Sequence, residues 1–308
     1  MAKSELSEKV QASIARLKAF EPKSGEGYYL AFSGGKDSVV IKALADMAGV
    51  KYDAHYRVTS VDPPELVQFI KAKYPDVARD VPRYPNGKPI TMWNLIPRKL
   101  MPPTRIVRYC CSSLKESGGD GRKAITGVRW AESVNRKANQ GLVTIQSKKA
   151  ARELSENSFF FNKSGGVILV NDNDDARRVV ESCYKRHKTT VNPIIDWTDA
   201  EVWEFIKANN VPFCGLYECG FTRLGCIGCP MARKAGREVE FAKWPKYKAS
   251  YLRAFDKMLE EGKKRNHLDG SWWMGTTAKD VFNWWMEYDI LPGQTSMFER
   301  EEEEYAEN

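Results

Sequence analysis

The sequence lacks any long hydrophobic run. No apolar stretch approaches the roughly 18 residues needed to cross a membrane, and the N-terminal MAKSELSEKV is charged helix-forming sequence without the apolar core of a signal peptide. The seven cysteines are an odd number, so they cannot all form intramolecular disulfides. Five of them fall in two tight groups, Cys110–Cys111 and Cys219/Cys226/Cys229. These absences predict a cytoplasmic protein with no membrane partner, whose clustered thiols favour metal ligation or redox chemistry over a disulfide framework.

Charge is unevenly distributed along the chain. The 308 residues carry a net charge of +8, and setting aside the six acids and one base of the C-terminal FEREEEEYAEN leaves the remainder at about +13. A basic body suits a polyanionic partner such as nucleic acid. Nucleotide-binding enzymes are also basic near their sites, so charge alone leaves both interpretations open.

Strand and helix patterns alternate along the first 235 residues. SELSEKVQASIARLKAF has the spacing of an amphipathic helix, and YYLAFSGGKDSVVIKALADMAG indicates a strand, a glycine turn and a helix ending near Gly49. Further strands are predicted at DAHYRVTS, 124–130, 165–171 and 192–197, and a helix at PPELVQFIKAKY. The polar and irregularly patterned segment 131–165 indicates a partly mobile excursion near the site. The alternation predicts an α/β fold with a mostly parallel twisted sheet sandwiched by helices and a helical C-terminal extension.

The predicted domains are 1–235, an α/β domain that includes the cysteine cluster; 236–298, a helical aromatic-rich extension; and 299–308, a disordered acidic tail. Within the extension, WPKYKASYLRAFDKML and the pairs Trp272–Trp273 and Trp284–Trp285 interleave basic and aromatic residues. Such a surface can hold single-stranded nucleic acid. The alternative is a helical lid that packs its aromatic rings on the core.

The segment Ser33-Gly34-Gly35-Lys36-Asp37-Ser38 follows the first predicted strand directly. It has neither the Walker A spacing nor the G-x-G-x-x-G pattern. Its backbone N–H groups lie at a helix N-terminus, where the amides and the macrodipole both favour an anion. The alternative is a glycine turn capped by serine, with no ligand.

After a strand, SGGKDS resembles the PP-loop of the N-type ATP pyrophosphatases, the adenine nucleotide α-hydrolase superfamily. These enzymes split ATP between its α and β phosphates to adenylate a substrate. The resemblance implies that the loop binds the pyrophosphate part of Mg²⁺-ATP. The residues that match the motif are Ser33, Gly34, Gly35, Asp37 and Ser38, and Lys36 stands at a variable position of it.

RYCCSSLKE (108–116) followed by GCIGCP (225–230) resembles the phosphoadenosine-phosphosulfate reductase branch of that superfamily. There the tandem cysteines and the later Cys-x-x-Cys hold a 4Fe-4S cluster. The resemblance implies four ligands, Cys110, Cys111, Cys226 and Cys229. Cys219 is a spare thiol able to replace one of them or to act as a reactive sulfur carrier. Zinc is the alternative, since it accepts the same ligands, although vicinal cysteines are awkward for tetrahedral zinc. Cys183 and Cys214 are interpreted as buried small hydrophobes.

Further segments extend the resemblance over roughly residues 25–235. ITGVRWAESVNR is similar to a G-x-R-x-x-E-S-x-x-R segment, which implies nucleotide contacts at Gly127, Arg129, Glu132, Ser133 and Arg136. VTSVDPPELVQFI is similar to an adenosine-contacting segment, which implies Thr59 or Asp62. In NPIIDWTDAEVWEFI, Asp199 and Glu201 are interpreted as helix N-terminal acids. The C-terminal pattern resembles a phage and mobile-element subgroup that includes CRISPR-associated proteins.

Two departures from the reductases direct the functional expectation. The loop keeps the full SGGKDS where reductases carry a form adapted to sulfate. No cysteine follows Cys229, whereas reductases carry a nucleophilic cysteine in a C-terminal Glu-Cys-Gly segment; Glu218-Cys219-Gly220 has those letters but precedes the cluster motif.

We therefore expect an ATP pyrophosphatase coupled to sulfur transfer, in which positioning and electrostatics supply catalysis. Its predicted catalytic residues are Ser33, Lys36, Asp37 and Arg129. Its expected partners are ATP and a nucleic acid or a partner complex, with a homodimer as the candidate assembly. The alternatives are a sulfonucleotide reductase and an accessory protein that binds nucleotide and cluster without turnover.

Overall fold

A computed structural model describes residues 2–23, 25–116, 118–132, 137, 140–145, 159–161, 167–169, 189–266 and 275–288. The chain divides into two compact units, each built from separate stretches of sequence. The first unit comprises Met1–Arg57, Pro64–Asp80 and Ser117–Leu224, and the second comprises Val58–Pro63, Val81–Glu116 and Gly225–Asn308. No helix in the described ranges is long and apolar enough to cross a membrane.

The first unit contains an eight-stranded sheet among its described residues. The strands are β1 (Tyr28–Ala31), β2 (Tyr52–Arg57), β3 (Ala78–Asp80), β4 (Lys123–Ile125), β5 (Val143–Ile145), β6 (Phe159–Phe161), β7 (Val167–Leu169) and β8 (Thr189–Val191). Their order is β3-β2-β1-β4-β8-β5-β7-β6. The pairs from β3 through β8 are parallel, and the pairs β8-β5, β5-β7 and β7-β6 are antiparallel. The predicted α/β class with a mostly parallel sheet and flanking helices is confirmed.

The α-helices of the described residues are α1 (Ala2–Ala19), α2 (Lys36–Ala48), α3 (Pro64–Lys73), α4 (Met92–Lys99), α5 (Tyr109–Leu114), α6 (Asp199–Ala208), α7 (Lys234–Lys243), α8 (Pro245–Lys264) and α9 (Ala278–Trp285). In the first unit, α2 follows β1 and ends at Gly49, whose φ of 66° suits glycine. Helix α6 begins with a capping box between Thr198 and Glu201. Both helices were predicted from the sequence.

Two predicted strands of the first unit were wrong, one in its bounds and one entirely. The strand predicted at 124–130 ends at Ile125 in β4, and the excursion at 131–165 contains the antiparallel strands β5 and β6, which were not predicted. Residues 192–197 form consecutive turns after β8, not a strand. Pro193 has no N–H to give to a strand partner, and the N–H groups of Ile195 and Trp197 donate back to Asn192 and Ile194.

The second unit is helical and has an aromatic core. Helices α4, α7 and α9 each pack on α8. Tyr251 and Trp285 lie with ring centroids 4.7 Å apart, and Phe255 and Phe282 are buried beside them. Within the described part of the extension, these rings pack on one another, and the packing of a helical lid on the core stays a prediction. Trp272, Trp273 and the acidic tail lie outside the described residues.

Candidate functional site

The glycine loop lies in the first unit, between β1 and α2. Gly34 has a φ of +74°, and a Cβ built on it would lie 2.8 Å from the Cδ1 atoms of Leu66 and Ile70. Gly35 is extended and precedes the first residue of α2. The loop therefore requires glycine for both its backbone conformation and its packing on α3.

The two predicted serine hydroxyls brace this loop. Ser38 Oγ donates to the Gly35 carbonyl at 2.8 Å, and Ser33 Oγ donates to Ser38 Oγ at 3.3 Å. The Gly35 N–H in turn lies 3.4 Å from Ser33 Oγ. Ser38 is buried and Ser33 is exposed, so Ser33 is the hydroxyl that faces solvent.

The N-terminus of α2 is met by a tyrosine that the sequence analysis did not identify. The backbone N–H of Lys36 donates to the phenol oxygen of Tyr217 at 2.8 Å. Tyr217 ends a short 3-10 helix, Gly215–Tyr217, and its ring packs edge-on against Trp203 at 5.0 Å. Burial raises the pKa of Tyr217, so the phenol is neutral. No motif spacing in the sequence points to this contact.

Arg129 is the centre of an ion-pair network beside the loop. Its side chain is 1% exposed; Nε donates to Asp37 Oδ1 at 2.6 Å, Nη2 donates to Asp199, and Nη1 donates to the Trp197 carbonyl at 3.2 Å. Lys36 Nζ lies 3.6 Å from Asp199 and 3.8 Å from Asp37. The structure thus joins three predicted catalytic residues, Lys36, Asp37 and Arg129, and adds Asp199.

The charges of this network are balanced. Burial would raise the pKa of Asp199, but the hydrogen bond from Arg129 and the charge of Lys36 outweigh burial and hold that pKa below its usual range. In this arrangement the guanidinium is engaged by protein carboxylates, so its predicted contact with a nucleotide phosphate stays a prediction.

The segment after β4 fits closely against the start of α2. A Cβ on Gly127 would lie 2.9 Å from Asp37 Cβ and 3.1 Å from the Asp37 carbonyl carbon. Glu132 accepts a hydrogen bond from the Arg129 backbone N–H at 3.1 Å, so it supports the turn that carries Arg129. Ser133 and Arg136 lie outside the described residues.

The structure places Thr59 and Asp62 in the second unit, with the cysteines. The Thr59 N–H donates to Asp62 Oδ2 at 3.2 Å, and Cys226 Sγ lies 3.7 Å from Thr59 Oγ1. Thr59 is 1% and Asp62 7% exposed. Both therefore belong to the surroundings of a thiol, and their predicted contact with adenosine stays a prediction.

The four predicted ligand cysteines all lie in the second unit. Cys110 and Cys111 occupy the first turn of α5, and Cys226 and Cys229 flank a turn in which the Cys229 N–H donates to the Cys226 carbonyl at 3.2 Å. We call these four residues the cysteine site. The spare thiol, Cys219, is exposed and belongs to the first unit, whereas Cys214 is buried as predicted; Cys183 lies outside the described residues.

The thiols of the cysteine site affect one another's pKa. The hydrogen bond with Cys111 and then burial raise the pKa of Cys110, and the charges of Cys226 and Cys229 raise it further. Burial raises the pKa of Cys226 to about 11 against the opposing charge of Lys115. Lys115, whose pKa is itself raised chiefly by Cys226, supplies a cation beside the thiols.

The donor set of the cysteine site suits a thiolate-bound metal centre. Four thiols with an adjacent ammonium are the chemistry that an iron-sulfur cluster uses, and zinc accepts the same ligands. Among the described residues, no three His, Cys, Asp or Glu side chains are already arranged around a common metal position. The four cysteines therefore fit such a group by the type of their side chains, and not by an arrangement that is already formed.

A glycine loop between the first strand and its helix, in a mostly parallel sheet, defines an α/β protein of the nucleotide-binding kind. The profile of the phosphoadenosine phosphosulfate reductase domain matches residues 27–232, more than half of the chain. The chain therefore belongs to the phosphoadenosine phosphosulfate reductase domain family.

Individual relatives match in part. An adenosine 5'-phosphosulfate reductase of Neisseria meningitidis is 45% identical over 53 residues, which cover 17% of this chain and 22% of the reductase. An uncharacterized protein of Methanocaldococcus jannaschii is 25% identical over 232 residues, which cover 74% of this chain and 47% of the relative. The chain thus spans less than half the length of these curated relatives.

Solved structures are similar at low identity. A phosphoadenylyl-sulfate reductase from Candida auris aligns with a TM-score of 0.41 at 14% identity, covering 73% of this chain and 96% of that one. An FMN adenylyltransferase from Candida glabrata aligns with a TM-score of 0.39 at 15% identity, covering 73% and 64%. At these scores the alignments support no functional argument.

Proposed function

We propose that the loop Ser33–Ser38 binds the pyrophosphate part of ATP and that the chain cleaves ATP between its α and β phosphates to adenylate an acceptor. The observation that carries this proposal is the loop itself. Gly34 and Gly35 bring the backbone N–H groups to the start of α2, and Ser33 is braced with its hydroxyl towards solvent. Amides at a helix N-terminus bind phosphate oxygens without a side-chain nucleophile.

The reaction requires little covalent chemistry from the protein itself. An acceptor oxygen attacks the α phosphorus, the bond from that phosphorus to the bridging oxygen breaks, and pyrophosphate leaves while the acceptor proton passes to solvent. Lys36 and the loop amides stabilise the charge that develops on pyrophosphate, and Asp37 and Asp199 fix Arg129 next to them. A Mg²⁺ ion bound with ATP neutralises further phosphate charge.

We propose that the cysteine site serves the second half of the reaction, in which a sulfur nucleophile displaces AMP from the adenylated acceptor. Cys110, Cys111, Cys226 and Cys229 would hold an iron-sulfur cluster, which supplies sulfur or redox chemistry when bound. Lys115 would balance the negative charge of the thiolates.

We propose a nucleic acid as the acceptor. The support is the charge of the chain outside its acidic tail, about +13. Helix α8 carries five exposed or half-exposed lysines, Lys246, Lys248, Lys257, Lys263 and Lys264. Because the described aromatic rings of this region pack inward, the support is electrostatic and not a row of stacking platforms.

The test is anaerobic incubation with ATP labelled at the α phosphate in one sample and at the γ phosphate in another, because the α label follows AMP and the γ label follows pyrophosphate. AMP and pyrophosphate in equal amounts support the proposal. We expect Ser33→Ala to reduce AMP formation at least tenfold and to leave the visible absorbance of the cysteine site unchanged. Ser250→Ala, which removes an exposed hydroxyl on α8, is the matched control and should change neither.

Family membership and the reductase relatives favour a second candidate, reduction of a sulfonucleotide. That activity predicts sulfite release from adenylyl sulfate in the presence of a thiol donor. Sulfite without AMP formation from ATP would replace our proposal with this one. Tight ATP binding with no product would indicate an accessory protein.

A further inference from the structure

A carboxylate from outside the family-matched region contacts the turn between two cysteines. The backbone N–H of Gly228, which lies between Cys226 and Cys229, donates to Glu240 Oε2 at 2.7 Å. Glu240 is on α7, whereas the match to the family ends at residue 232. Both groups belong to the second unit.

The same turn is packed by the aromatic core of the extension. Gly228 has a φ of +71°, and a Cβ built on it would lie 2.6 Å from Phe241 and 3.1 Å from both Tyr251 and Trp285. The turn therefore lies directly against three rings, one each from α7, α8 and α9. Only glycine allows that approach.

Both backbone polar groups of Ile227, the other residue of the turn, are hydrogen-bonded as well. The Ile227 carbonyl accepts a hydrogen bond from Tyr251 Oη at 2.9 Å, and the Ile227 N–H donates to the Val61 carbonyl at 2.8 Å. With the bond from Gly228 to Glu240, the two residues between the cysteines are held at three backbone atoms. Such a turn has little freedom to change the spacing of its thiols.

The carboxylate of Glu240 also brings a negative charge close to the cysteine site. Glu240 puts an anion on the backbone between two thiols, and Lys115 puts a cation beside them. A hydrogen bond to an ionised acceptor is stronger than a neutral one, and charges close to a metal centre set its reduction potential.

We propose that Glu240 is a positioning residue of the cysteine site and that α7–α9 are part of that site. Its carboxylate fixes the Cys226–Cys229 turn and makes any bound metal centre harder to reduce. The effect on a metal centre rests on the proposed function, but the constraint on the turn does not.

The first experiment uses the metal-free, reduced full-length protein and measures amide hydrogen exchange of the peptide that contains 226–229. We expect Glu240→Ala to accelerate exchange there roughly tenfold, because the Gly228 N–H loses its acceptor. Glu260→Ala, an exposed acid on α8, is the control. Equal exchange in the two variants would overturn the proposal.

The second experiment separates the hydrogen bond from the charge. Glu240→Gln keeps an acceptor oxygen, so it should exchange more slowly than Glu240→Ala, yet it loses the negative charge. After anaerobic loading with iron and sulfide, its reduction potential should be more positive than that of wild type and of Glu260→Gln. An unshifted potential would overturn the electrostatic part.

Different results would contradict the proposed metal function and the proposed positioning role of Glu240. If wild type takes up no iron or zinc, the metal function fails, while accelerated exchange in Glu240→Ala still supports the positioning role. Should Glu240→Ala not fold, as judged by circular dichroism, Glu240→Gln carries the test through its exchange rate, which must exceed that of wild type.

Discussion

The backbone N–H of Lys36 donates to the phenol oxygen of Tyr217, 181 residues away in the chain, at 2.8 Å. The neutral hydroxyl of Tyr217 thus accepts the hydrogen bond of a backbone N–H at the N-terminus of α2, a position that favours an anion. An incoming phosphate that uses this amide must displace the phenol. Tyr217 therefore competes with the ligand that the loop is proposed to bind.

Removing that hydroxyl should strengthen anion binding. A hydrogen bond of this kind contributes about 0.5–1.5 kcal/mol net, so we expect Tyr217→Phe to lower the Kd for pyrophosphate and ATP about two- to tenfold, measured by calorimetry. Tyr74→Phe, which removes the bond from Tyr74 to the Pro212 carbonyl, should leave both constants unchanged. Weaker binding by Tyr217→Phe would mean that the phenol assists the anion.

Replacing Arg129 with lysine should damage both stability and activity. A single ammonium cannot reproduce the bonds to Asp37, Asp199 and the Trp197 carbonyl. We expect a loss of about 2 kcal/mol in the free energy of unfolding, measured with urea, and a loss of AMP formation beyond the unfolded fraction.

The matched control is Arg16→Lys, which breaks a two-pronged pair with Asp196 in the same unit. It should lose stability while the folded protein keeps its rate of AMP formation. Full activity in Arg129→Lys would exclude a role for the guanidinium in catalysis.

A methyl group at Gly127 should disturb the start of α2. Its Cβ would lie 2.9 Å from Asp37 Cβ and 3.1 Å from the Asp37 carbonyl carbon. Helix α2 and the segment that follows β4 would therefore have to move apart. We expect Gly127→Ala to cost about 1–3 kcal/mol and to weaken ATP binding. Gly25→Ala, where nothing lies within 4 Å, should do neither; equal ATP affinity in both variants would contradict this account.

Stability should depend on pH through Asp53. The hydrogen bond from Arg122 lowers the pKa of Asp53 to about 2. Because this pKa lies below the unfolded value, the stabilisation is complete above about pH 4 and disappears as pH falls towards 2. With the carboxylate 46% exposed, we expect Asp53→Asn to lose only about 1 kcal/mol at pH 7.

Urea unfolding at pH 7 and near pH 2.5 measures this difference. The gap between wild type and Asp53→Asn should shrink at the lower pH, whereas exposed Asp120→Asn should match wild type at both. A gap that stays constant across this range would show that the pair contributes by packing and not by charge.

Single substitutions can test which of the cysteines are metal ligands. Cys226→Ser should abolish most of the metal content after anaerobic loading, because it removes one of four thiols that share a site. Cys214→Ser and Cys219→Ser should keep it, since Cys214 is buried and both residues belong to the first unit. Loss of metal in Cys219→Ser would instead make it a ligand, and zinc without sulfide would exclude an iron-sulfur cluster.

Local sequence signals predicted the local structure well. The glycines and the apolar run located β1, the loop and α2, and Thr198 with Glu201 is a recognisable helix start. The strands β5 and β6 were missed because these short strands lie within a polar segment that shows no regular apolar pattern. The sequence could name Arg129 as a site residue but not its partners.

The features of the site that the sequence did not predict depend on contacts between distant segments of the chain. Tyr217 reaches Lys36, and Glu240 reaches Gly228, only because the fold brings their elements together. Neither residue is part of a spaced motif, and a tyrosine or a glutamate at such positions carries no distinguishing pattern. Thr59 shows the converse, since its motif was recognised while its neighbour in the structure is Cys226.

Among the described strands, the sheet ends on one side at β3, a strand of three residues. Its first two residues, Ala78 and Arg79, are exposed, and Asp80 is half-buried. A short, charged edge recruits a further strand poorly. Self-association by continuing the sheet across this border is therefore disfavoured.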